Sequence, residues 1–223
     1  MSFNSFLKEL NGNRVEGQLV STFLYSLIAG IIAILIFYLI NSEVVRKDIL
    51  YLIFAVLTYS FLALTLRQVR AYKGFACMSG MMIGMTCGMI AGFLPGYYIG
   101  ATNGMFVGGM FGMIVGIVFG IWNGKCCGIM GVMEGVMAGF MGGWMGAMTS
   151  VMLLNDHLLF ATIAISIVGW VLMIMLNYMI YFESKDREAN GKELMLPVIT
   201  FVFVATIITV IVITYFPKSF LFG

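Results

Sequence analysis

The chain has 223 residues, 61% of them hydrophobic and 10% charged, with a formal net charge of +2. Soluble domains carry about 25% charged residues, so this composition excludes an ordinary soluble fold. The small charge, with no Lys/Arg cluster, excludes nucleic acid as a partner. Several apolar stretches are long enough to cross a hydrocarbon core of about 30 Å, which makes the chain an all-α polytopic membrane protein whose first partner is the lipid bilayer.

Taken in chain order, residues 1–18 are polar and mixed in charge, with Lys8, Glu9, Arg14 and Glu16. They read as a cytoplasmic segment. The apolar stretch after them is too long for the core of a cleaved signal and reads as a retained first span. Seven transmembrane helices are expected, at 19–40, 49–66, 75–94, 99–122, 126–154, 158–181 and 196–216. They are separated by Asn41-Ser42, Arg67 to Lys73, Pro95-Gly96, Asn123-Gly124-Lys125, Asn155-Asp156-His157 and the run Glu183 to Glu193. These residues favour turns or resist burial, and Pro95 is expected to end or kink the third span.

The whole chain, 1–223, forms a single integral membrane domain in which 75–154 is a distinct Gly/Met-rich core. With seven spans, Lys8, Arg14, Arg67, Arg70, Lys73, Lys125, Lys185, Arg187 and Lys192 share one side, against Arg46, Lys47 and Lys218 on the other. That bias places the N-terminus in the cytoplasm and the C-terminus outside.

The first two and last two spans are rich in Leu, Ile, Val and Phe. The middle three differ. Glycine recurs at every fourth position from Gly80 to Gly128, and 15 of the 20 methionines lie between Met78 and Met152. Small residues four apart let helix backbones approach closely, so a closely packed third-to-fifth helix core, a glycine zipper, is expected. Gly80-Met-Met-Ile-Gly84 recurs as Gly104-Met-Phe-Val-Gly108, and 9 of 21 positions match between 80–100 and 104–124. This is a helix-level repeat that would be inverted across the membrane, or low complexity that mimics one. The glycine face would pack inside the bundle or against a membrane subunit partner or a second copy.

On the fifth span Met130, Met133, Met137, Met141, Met145, Met148 and Met152 fall within an arc of about 120°. The glycines of that span take the opposite side. Thioethers and thiolates are soft ligands that favour Cu(I). Met81, Met85 and Met89 extend the set on the third span, and Cys77, Cys126 and Cys127 supply thiols at the expected cytoplasmic ends. His157, beside Asp156, stands at the other end of the fifth span. Glu134 is the only carboxylate inside an expected span. It would compensate charge, couple a proton, form a structural pair or snorkel to the surface. Against a metal role, methionine is also a flexible filler of irregular gaps.

The four cysteines, Cys77, Cys87, Cys126 and Cys127, do not form a disulfide framework. No H-E-x-x-H, G-x-S-x-G, P-loop or G-x-G-x-x-G motif occurs, so no enzyme is expected and no catalytic or organic-cofactor site is assigned.

The steps Met78 to Met82, Met81 to Met85 to Met89, and Met133 to Met137 to Met141 resemble the Met-x-x-x-Met motif of Ctr-type copper transporters, which pair it with G-x-x-x-G. The resemblance is confined to these steps. Ctr proteins have three spans and methionine clusters ahead of the first, both lacking here, so the likeness is one of chemistry. It implies Cu(I) as the bound or transported ion. The expectation is therefore Cu(I)-type transport or binding along a Met/Cys-lined helix face. The alternatives are a non-transporting, glycine-packed scaffold or a pore for a small molecule.

Overall fold

The computed structural model describes residues 17–40, 42–71, 77–125, 128–154, 157–184 and 195–216. These form seven helices and, among the described residues, no strand: α1 Gly17–Ile40, α2 Ser42–Ala71, α3 Cys77–Asn103, α4 Met105–Gly124, α5 Gly128–Met152, α6 Leu158–Ser184 and α7 Met195–Tyr215. All but α5 are long and apolar enough to cross a membrane. On α5, glycine occupies the inner face and dilutes the apolar average.

The expected break at Pro95-Gly96 does not occur. Helix α3 continues through Pro95 to Asn103. Proline leaves one backbone carbonyl without its helical donor, a loss that packed helices in a membrane tolerate. The chain turns instead at Gly104, whose φ of 100° lies in the region open to glycine. Gly104 still accepts a backbone bond from Gly108 and donates one to Gly100, so α3 and α4 are separated by one residue. The expected break from Arg67 also moves, because α2 carries Arg67 and Arg70 in its last turns. Arg67 is buried there and donates to the Thr22 hydroxyl of α1.

The helices form two groups. Helices α3, α4 and α5 pack on one another along their length, while α2 is the centre of the other group, touching α1, α6, α7 and α3. Helices α2 and α6 run parallel: Tyr51 bonds Thr162 near their starts, and Thr58 accepts from the Trp170 indole at 3.3 Å further along. The groups join through α3 and α4. The Tyr98 hydroxyl meets Ser166 at 2.9 Å and Thr58 at 3.3 Å. Phe119 and Trp122 set their rings edge-on to Phe201, each at 4.8 Å. Asn103 donates to the Val212 and Phe216 carbonyls at the end of α7. Helix α5 packs chiefly on α3 and α4 and lies on the far side of the molecule.

Candidate functional site: a glycine ladder behind a methionine face

Glycine is required on the inner faces of α3, α4 and α5 because other backbones already occupy the space a Cβ would need. A Cβ on Gly84 would lie 2.7 Å from the Gly131 carbonyl oxygen, one on Gly88 2.6 Å from that of Gly135, one on Gly92 2.8 Å from that of Gly139, and one on Gly96 2.7 Å from that of Gly143. Real Cβ atoms essentially never approach so closely. Helix α4 completes each rung from the opposite direction. Gly120 meets Gly135, Gly116 meets Gly139 and Gly92, and Gly112 meets Gly92 and Gly143. The pairing shows that α3 and α5 run parallel in register and that α4 runs antiparallel between them.

Such a ladder turns the sides of the helices. With Gly131, Gly135, Gly139, Gly142, Gly143 and Gly146 buried, the opposite side of α5 faces outward. Met130, Met133, Met137, Met141, Met145, Met148 and Met152 are all exposed, from 44% at Met148 to 68% at Met152. The methionines therefore do not fill gaps between the glycine helices, since backbone contact closes those gaps. On α3, Met82, Met85 and Met89 are exposed and Met81 is half-buried. The outward surfaces of α1, α6 and α7 are built mainly from Leu, Ile, Val and Phe instead.

Glu134 sits one residue after Met133, half-buried at the edge of this face. His157 is exposed beyond the end of α5, with φ of 44° and its ring 6.1 Å from that of Phe160. Its carbonyl accepts the Ala161 amide in the first turn of α6. Cys126, Cys127 and Asp156, together with the side chain of Cys77, lie outside the described residues. Cys87 is wholly buried among Ile83, Ile90 and Ala91 and hydrogen-bonds Thr65. It stands apart from the methionine face. Among the described residues, no three His, Cys, Asp or Glu side chains gather into a metal-holding group.

Sequence reasoning missed a second polar feature. Along α2, α3 and α6, the side chains of Tyr51, Thr58, Tyr97, Tyr98, Thr162, Ser166 and Trp170 bond across the helices. Its signal was present as Thr58 and Thr65 at heptad spacing in an apolar span, with Tyr97-Tyr98 opposite. The hydroxyls of Thr58, Thr162 and Ser166 also bond carbonyls of their own helices, and so they pass for ordinary span residues.

No protein-family model matches this sequence, and neither the curated proteins nor the solved structures contain a match to it.

Proposed function

We propose that this protein binds and passes soft monovalent metal ions of the Cu(I) type along the outward thioether face of α5. One observation carries the reading: seven methionines form a line along α5, free of the packing that holds the helix in place. Thioether sulfur is neutral and soft, so it favours Cu(I) over harder ions and needs no deprotonation. Neighbouring methionines three and four residues apart lie on one helix surface and would present two or three sulfurs to one ion. Glu134 at the edge of the face would offset the ion's charge, and Cys77, Cys126 and Cys127 would exchange it with thiols.

The test is Cu(I) binding to the purified chain in detergent, under reducing conditions and in competition with a coloured Cu(I) chelator. Saturable binding that weakens in the Met133→Leu/Met137→Leu/Met141→Leu variant is expected. Binding that is absent, or unchanged by those substitutions, overturns the reading.

The same proposal gives α5 a full crossing, with the N-terminus cytoplasmic and the C-terminus outside. Two features support it. Helix α5 lies beside α3 from Gly84 to Gly96, rung by rung. In addition, α6 runs parallel to α2, which needs an odd number of crossings between them, three if α5 crosses with α3 and α4.

A second reading, a non-transporting membrane scaffold, draws support from α5 being packed on one side only. In that case a membrane partner or second copy would meet the methionines, because the glycine face is already taken by α3 and α4. Binding of a partner without any Cu(I) binding would favour it.

A further inference from the structure

We infer that the seam between α2 and α6 holds a buried binding site for one neutral molecule of water's size, formed by Gln68 and Asn177. The inference does not rest on the methionine face. Phe54 and Phe61 of α2 both stack on Trp170 of α6, at 5.7 and 5.9 Å between centroids, and Thr58 accepts the Trp170 indole N–H. Positions 54, 58 and 61 therefore face α6, and Gln68, one heptad beyond Phe61, continues their line. On α6, Thr162 and Trp170 meet Tyr51 and Thr58 of α2, and Asn177 lies one heptad beyond Trp170. Because the helices are parallel, one heptad beyond the Phe61–Trp170 stack brings Gln68 to the level of Asn177.

Both amides are deep in the protein. Gln68 is 0% exposed and Asn177 6%. Asn177 Nδ2 donates to the Met173 carbonyl at 3.0 Å, but Asn177 Oδ1 has no hydrogen-bond partner in the protein. Gln68 has none at either Nε2 or Oε1. Buried side-chain polar atoms in native proteins are as a rule paired with protein or ordered water. Three such atoms, at one level of two adjacent parallel helices, point to one site rather than three separate defects.

Their chemistry selects the guest. Two carbonyl oxygens call for two donors, and the NH2 of the Gln68 amide calls for an acceptor. Water supplies both donors and a lone pair. Val69, Met173, Leu176 and Ile180, which lie next to Gln68 and Asn177 along their helices, belong to the buried apolar core, which favours a small guest. Arg67, the adjacent cation, is directed at Thr22 of α1, and the amides themselves carry no charge. The site therefore suits a neutral molecule.

Radiolytic hydroxyl labelling of the full chain in lipid nanodiscs tests this, because ionising radiation generates the radical from bound water in place. Oxidation of Met173, which is 1% exposed, is expected in the wild-type protein. It should be lost in Gln68→Leu/Asn177→Leu, with labelling of the exposed Met141 retained. No Met173 oxidation in the wild type, or undiminished oxidation in the double variant, overturns the proposal. If the double variant does not fold, Gln68→Leu and Asn177→Leu are measured singly. Each should reduce the labelling, and unchanged labelling in both overturns the proposal as well.

Discussion

Gly104 and Tyr98 illustrate two ways in which a single residue holds this molecule. Gly104 turns the chain between two antiparallel helices with one residue, at a φ of 100°. A side chain is strained in that extended, positive-φ conformation, so Gly104→Ala is expected to lower stability by about 1–3 kcal/mol, measured by denaturant titration in detergent. Tyr98 acts through its hydroxyl, which ties α3 to α2 and α6. Tyr98→Phe should cost less, about 0.6 kcal/mol, the mean for interhelical hydrogen bonds within a membrane. The reason is visible in its partners: Thr58 and Ser166 keep bonds to the Phe54 and Thr162 carbonyls when Tyr98 is lost. The same titration checks it, and a loss as large as that for Gly104→Ala would contradict the assignment.

At the scale of the element, α5 has two faces with opposite requirements. Its inner face has no room: a Cβ on Gly139 would meet the Gly116 carbonyl and the Ile117 amide, all backbone. Backbone cannot give way as a flexible side-chain end can, so Gly139→Ala should destabilise the three-helix group by the cost of overpacking, about 1–3 kcal/mol or more. Its outer face has room throughout, and Met141, at 57% exposure, touches no comparable constraint. Met141→Leu should therefore leave unfolding unchanged within about 0.5 kcal/mol. Measured side by side, equal effects of the two changes would refute the division of α5 into a packing face and a free face. That division was legible in sequence, because glycine and methionine each recur at near-helical spacing on opposite sides. The path of α3 was not. Pro95-Gly96 carries the local signature of a break, and only the α4 and α5 backbones packed along both sides keep the helix continuous through it.

At the scale of the molecule, direction alternates from helix to helix, and the glycine group docks on the α2 group through α3 and α4. The Arg70 guanidinium lies 4.7 Å from the Trp122 ring centre, which brings the ends of α2 and α4 to the same side of the bundle. Those ends carry Arg67, Arg70 and Lys125, part of the positive bias that would place this side in the cytoplasm under the proposed orientation. A reporter active only in the cytoplasm should then work when fused at the N-terminus and fail at the C-terminus. Activity at both ends would mean that α5 does not cross, and with it the path along the methionine face would be lost.

The sequence by itself determined the membrane class, the number of helices, the glycine spacing and the sidedness of the methionines. These are local properties: apolar length and a 3.6-residue period are written within each helix. Tertiary structure alone decided that the glycines of three helices meet in one ladder, which turns Met130 to Met152 outward rather than between helices. It also decided that α3 runs through Pro95, and that Gln68 and Asn177, polar residues far apart in the chain, are both buried. These features depend on which helices are neighbours and at what register. Such contacts join residues distant in sequence, and no period within a single helix encodes them.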